Sequence, residues 1–129
     1  MHTLIAICLG ACAGALLRWG LGLWLNHAGA FMPWGTLAAN LIGGYLAGLC
    51  VAYFQHHPDL SPIWRLLLVT GFLGALTTFS SFSAEVTDML LRERYAQAAA
   101  TAALHLSGSL LLTVAGFKTV MFLAVLRNG

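Results

Sequence analysis

Residues 71–85 read Gly71-Phe72-Leu73-Gly74-Ala75-Leu76-Thr77-Thr78-Phe79-Ser80-Ser81-Phe82-Ser83-Ala84-Glu85. They lie inside a longer run, Pro62 to Leu91, whose first half is apolar apart from Arg65 and Thr70. A helix of about 30 residues is ~45 Å long, whereas the hydrocarbon core of a bilayer is ~30 Å thick. The run is therefore too long for one straight crossing, and its middle holds a glycine and a cluster of hydroxyls. Those hydroxyls can bond back to the carbonyl four residues earlier and bend an intact helix. The other reading is a true break near residues 74–78, which frees backbone carbonyls and N–H groups. Irregular backbone is tolerated at membrane depth only where protein buries it or an aqueous path runs past it, and such breaks mark ion sites in transporters. We expect the break.

The rest of the chain supports a membrane reading. It has 129 residues, of which 60% are hydrophobic and 8% charged, against typical values of ~45–50% and ~25% in soluble domains. Mean hydropathy is +0.85. A soluble domain this small buries only about two-thirds of its unfolded surface, so this composition excludes an ordinary soluble globule, a disordered chain and a disulfide scaffold. Hydropathy predicts an all-α, four-helix transmembrane domain over 1–129, with helices at about 3–25, 35–54, 62–91 (broken near 74–78) and 96–126. The connectors are too short to hold a soluble domain. Ser61-Pro62 supplies an N-cap and a first-turn proline for the third helix. Leu9-Gly10-Ala11-Cys12 faintly resembles a lipoprotein cleavage site. The stretch before it has no Lys or Arg and the apolar run continues beyond Cys12, so a resident helix is expected.

Gly10-x-x-x-Gly14 and Gly44-x-x-x-Gly48 place small residues on one face of helices one and two, where backbones can approach closely in lipid. Helix four carries Thr101, His105, Ser109 and Thr113 at intervals of four. This stripe winds slowly round one face and must meet protein or water. Thr36 and Asn40 add a polar pair one turn apart on helix two. Helix three adds Ser80, Ser83 and the rings of Phe79 and Phe82. Ring edges are positive, so together with amide N–H and hydroxyl groups they can solvate an anion. The same hydroxyls can also accept from a cation, so this chemistry leaves the sign of the ion open.

Net charge is +2, too weak and scattered for nucleic acid. Cys8, Cys12 and Cys50 lie in apolar runs and read as packing residues; two thiols do not complete a zinc shell. Arg18 and Lys118 are snorkelling or functional charges. Glu85 is placed to sit beside a pathway, and Asp88 nearer the boundary. With the N-terminus on one side, Arg65, Lys118 and Arg127 fall nearest that side and Arg18, Arg92 and Arg94 nearest the other. The positive-inside rule needs an excess to orient a protein. Three against three predicts insertion both ways and an antiparallel, dual-topology homodimer, which mimics the inverted repeats of transporters.

Gly35-Thr36-Leu37-Ala38-Ala39-Asn40-Leu41-Ile42-Gly43 and the 71–85 segment closely resemble the CrcB/Fluc family of fluoride channels. Leu17-Arg18-Trp19 in helix one and Gly108-Ser109 to Thr113 in helix four extend the likeness over all four helices. The resemblance implies an antiparallel dimer in the bacterial inner membrane, with two fluoride pores lined by both subunits and passive export of fluoride that confers resistance. It implies that Asn40, Phe79, Phe82, Ser83, Ser109 and Thr113 line the pathway; Ser80 and Thr36 are added from their positions. It also implies that the backbone carbonyls of Gly74 and Thr77 hold a central structural sodium ion. Ala75 stands where many relatives carry a second glycine. The competing reading is a small multidrug-type, proton-coupled antiporter, which shares four short helices and dual topology. That family depends on an acid in helix one, and helix one here has none, so coupling would fall to Glu85. A packing subunit of a larger complex leaves the midmembrane donors unexplained. No catalytic set sits at plausible spacing, so an enzyme is not expected.

Overall fold

A computed structural model describes residues 1–128, and the chain is helical almost throughout. α1 covers His2–Leu25 and α2 covers Trp34–His56. The third span, Pro62–Leu91, is assembled from several pieces. α3 is Pro62–Arg65, a π-helical stretch follows over Leu66–Leu73, α4 is Gly74–Leu76, and α5 is Phe79–Leu91. α6 covers Tyr95–Asn128. Four helical spans are long and apolar enough to cross a bilayer. With so much apolar surface on all sides, this is a multi-pass membrane protein.

Helices in lipid gain little from hiding apolar surface from one another and associate instead through close packing. That is the use made of the two glycine pairs. A Cβ on Gly44 would meet the carbonyl of Ser109 at 2.9 Å, and one on Gly48 would meet the amide of Phe117 at 2.8 Å. α2 and α6 therefore touch backbone to backbone along this seam. Gly10 and Gly14 do the same for α1 against the third span, where a Cβ would meet the amides of Phe72 at 2.8 Å and Leu76 at 3.0 Å. Gly71 completes that contact from the other side, 2.6 Å from the carbonyl of Ile7 by the same measure.

The ends of the spans are fixed by side chains. Ser61 Oγ accepts from the Ile63 amide at 3.4 Å at the start of α3. Asn26, just past α1, accepts from the Gly35 amide at 2.7 Å and so caps the first turn of α2 across the loop. Between α5 and α6 the chain turns in three residues, with Glu93 in the left-handed region at φ 60°.

The π-helical stretch is not foreseen by hydropathy. Its signature is the Gly74 amide, which reaches back five residues to the Val69 carbonyl. After α4, Thr77 (φ −81°, ψ 151°) and Thr78 (φ −150°, ψ 114°) are extended, and α5 then begins at Phe79. Ala75 keeps an ordinary negative φ inside α4, because Glu93 is the single non-glycine residue with positive φ among the described residues. The methyl group that replaces a glycine hydrogen therefore meets no backbone penalty here.

Candidate functional site

The extended residues Thr77 and Thr78 are held from α2. The Thr78 amide donates to Asn40 Oδ1 at 2.7 Å, and Asn40 Nδ2 donates to the Thr78 carbonyl at 3.0 Å. One side-chain amide thus satisfies both backbone groups of a residue that has left the helix, as a buried backbone requires. Thr78 also caps the segment that follows. Its Oγ1 accepts from the Ser81 amide at 3.1 Å and donates to Ser81 Oγ at 3.0 Å, with Ser80 Oγ 3.2 Å away. Thr77 Oγ1 donates back to the Leu73 carbonyl at 2.8 Å.

The third partner of Asn40 is His105 on α6, whose Nδ1 lies 3.0 Å from Asn40 Nδ2. The imidazole is only 4% exposed. It stacks on the Phe82 ring at 4.6 Å between centroids and 28° between planes, and Phe82 in turn lies 5.4 Å from Phe79 at a 60° tilt. Asn40, Gly74, Thr77, Thr78, Phe79, Phe82, His105 and Ser109 together line a cleft of about 490 Å³, otherwise walled by Gly and aliphatic side chains. Among the described residues, no charged one lines it.

The remaining residues singled out from the sequence are not among those that line this cleft. Thr113 Oγ1 donates to the Ser109 carbonyl of its own helix at 2.8 Å. Ser80 sits beside Thr78, and Ser83 is half-buried on α5. Thr36 is buried and donates to Glu85 Oε1 at 2.5 Å. Glu85 belongs to a second cleft, of about 400 Å³, shared with Asn26, Asp88, Arg94 and Gln97. There Glu85 Oε2 and Gln97 Oε1 are buried without partners among the described residues. Asp88 pairs instead with Arg92 at 2.9 Å on the exposed side. Arg18 is half-buried on α1 and is not among the residues lining the first cleft. Thr101 is fully buried, with its hydroxyl toward Met89 Sδ at 3.6 Å.

Two participants were not assigned a role from the sequence. Thr78 carried a signal, a threonine directly before a helical run, which is the pattern of an N-cap. His105 was visible only as one member of the polar stripe.

A family model described as CrcB-like protein, camphor resistance (CrcB), matches residues 5–117. A protein of Albidiferax ferrireducens, named fluoride-specific ion channel FluC, is 68% identical over 95% of this chain and 94% of its own length. Proteins of the same name from Variovorax paradoxus and Pseudomonas putida are 64% and 56% identical, covering 94% and 96% of this chain and 96% and 98% of their own lengths.

Proposed function

This chain belongs to the CrcB family, and from that membership we propose that it is a fluoride-specific ion channel of the bacterial inner membrane. It carries cytoplasmic fluoride out passively, down its electrochemical gradient, and so confers fluoride resistance. The observation that carries this reading is 68% identity, over nearly the full length of both chains, to a protein named for that activity.

The geometry supports the reading. Fluoride is small and strongly hydrated, so a passage must replace its water with close donors. A larger halide gains less from the same donors, which is where selectivity arises. The cleft offers N–H and O–H groups and the edges of two aromatic rings, which are positive, and no full charge. Binding is then strong enough to admit the ion and weak enough to release it, as conduction requires. We place the pathway along Thr36, Asn40, Phe79, Ser80, Phe82, Ser83, Ser109 and Thr113, with Arg18 and Glu85 at its vestibules.

We further propose an antiparallel homodimer with two pores, each lined by both subunits. Two observations support it: the balance of basic residues between the two sides, and the position of the Phe79 ring, which is 79% exposed on the single chain although it belongs to the cleft. We read the extended Thr77 and Thr78 as the discontinuity of a broken third helix. This releases a carbonyl, since the Thr78 amide that would bond Gly74 O in a continuous helix goes to Asn40 instead. Carbonyls of this kind suit a hard monovalent cation, so the Gly74 and Thr77 carbonyls of both subunits fit a central structural sodium ion. Such a charge would raise anion affinity nearby.

A fluoride-selective electrode, reading efflux from loaded proteoliposomes, tests the function. We expect rapid fluoride release with chloride retained. Release that requires a proton gradient would instead favour the proton-coupled antiporter.

A further inference from the structure

α2 holds the break in the third span at two points one turn apart. At Asn40 the contact is polar, with Oδ1 accepting from the Thr78 amide at 2.7 Å. At Gly43, which is buried, the contact is steric. A Cβ there would overlap the Cγ2 methyl of Thr77 and stand 3.6 Å from Thr77 Cβ and 3.8 Å from Leu76 Cδ2. The absent side chain of Gly43 is thus a notch that the Thr77 methyl fills. The other branch of the same side chain is tied as well. Thr77 Oγ1 donates to the Leu73 carbonyl at 2.8 Å, and the Thr77 amide donates to that carbonyl at 3.0 Å. Methyl and hydroxyl turn together about one χ1, so swinging the methyl out of the notch breaks the hydroxyl bond.

These restraints set the direction of one carbonyl. The peptide that joins Thr77 to Thr78 is trans, since no cis bond occurs among the described residues. Its C=O and N–H therefore point in opposite directions. The N–H points to Asn40 on α2, so the Thr77 carbonyl points away from α2. No backbone amide among the described residues donates to that oxygen. We propose that Gly43 is a positioning residue for the central cation site: its notch seats the Thr77 methyl, and the seated side chain holds the Thr77 carbonyl in its ligating direction. This rests on the reading of the Gly74 and Thr77 carbonyls as a sodium site, and adds to it a residue that touches no ion. The side chain of Thr77 then matters to a site whose ligand is only its backbone oxygen.

Thermal melts of the full-length protein in detergent test this, across a series of sodium chloride concentrations with N-methylglucamine chloride holding ionic strength constant. A cation that binds the folded state raises the melting temperature once its concentration passes its dissociation constant. The onset of that rise is read separately from the baseline stability. Gly43→Ala should move the onset to about tenfold higher sodium or more, the usual cost of removing a group that orients a metal ligand. Gly43→Ala combined with Thr77→Ser removes the methyl that the new Cβ would strike and keeps the hydroxyl, so its onset should return most of the way. A glycine that serves packing alone would lower the melting temperature at every sodium concentration and leave the onset in place. That result, or a double variant no better than Gly43→Ala, would overturn the inference. Should Gly43→Ala not fold, Thr77→Val carries the test. It keeps a methyl for the notch and loses the bond to Leu73; its onset should rise too, and an unmoved onset would be equally fatal. If the unaltered protein melts at one temperature whatever the sodium concentration, the sodium site fails and this inference with it. Fluoride efflux decides the channel reading independently.

Discussion

Asn40 does three jobs with one amide, and one substitution separates the acceptor job from the two donor jobs. In Asn40→Asp the carboxylate still accepts from the Thr78 amide but has nothing to give the Thr78 carbonyl or His105. Each buried group left unpaired costs about 1–3 kcal/mol, and the new negative charge also repels an anion. Fluoride efflux should fall at least about tenfold, measured by electrode. Phe79→Ile and Phe82→Ile remove the ring edges while keeping apolar bulk. We expect each to reduce flux strongly with the dimer intact on size-exclusion chromatography, and unchanged flux in both would remove the rings from the mechanism. That polar groups gather in midmembrane was legible at this scale, because Thr101, His105, Ser109 and Thr113 share a stripe on an apolar helix and lipid offers their polar atoms no partner. Which of them bond each other was not. Asn40 is 38 positions from Thr78 and 65 from His105, and no local pattern connects residues that far apart.

The third span sets the character of the fold among the elements. The four apolar helices could be read from hydropathy, since each exceeds the length a bilayer demands. The π-helical Leu66–Leu73 could not, because apolar patterning reports which residues face lipid and is silent on whether a hydrogen bond spans four residues or five. Its close fit to α1 rests on Gly10, Gly14 and Gly71. Gly14→Val should therefore separate α1 from the third span and lower the yield of folded protein in detergent. Gly20→Val, at a glycine of the same helix with open space beside it, serves as the control and should be tolerated. The cap of α5 is a smaller effect. Thr78→Val loses the hydroxyl that accepts from Ser81 and should cost about 1 kcal/mol, with Thr78→Ser restoring most of it in thermal melts.

For the whole molecule, orientation is the open variable. A cysteine appended to the C-terminus of a variant lacking Cys8, Cys12 and Cys50 should react with an impermeant maleimide from both faces of sealed vesicles. Reaction from one face alone would end the antiparallel arrangement. Two lysines added to the loop between α1 and α2 should tip the even charge tally, force a single orientation and abolish flux. The exposed ring of Phe79 carries a genetic consequence. If every passage borrows part of its wall from a neighbour, a crippled copy harms the healthy one it joins. Cells co-expressing normal and defective alleles would then retain conductance in proportion to the square of the normal fraction, and the defect would behave as dominant.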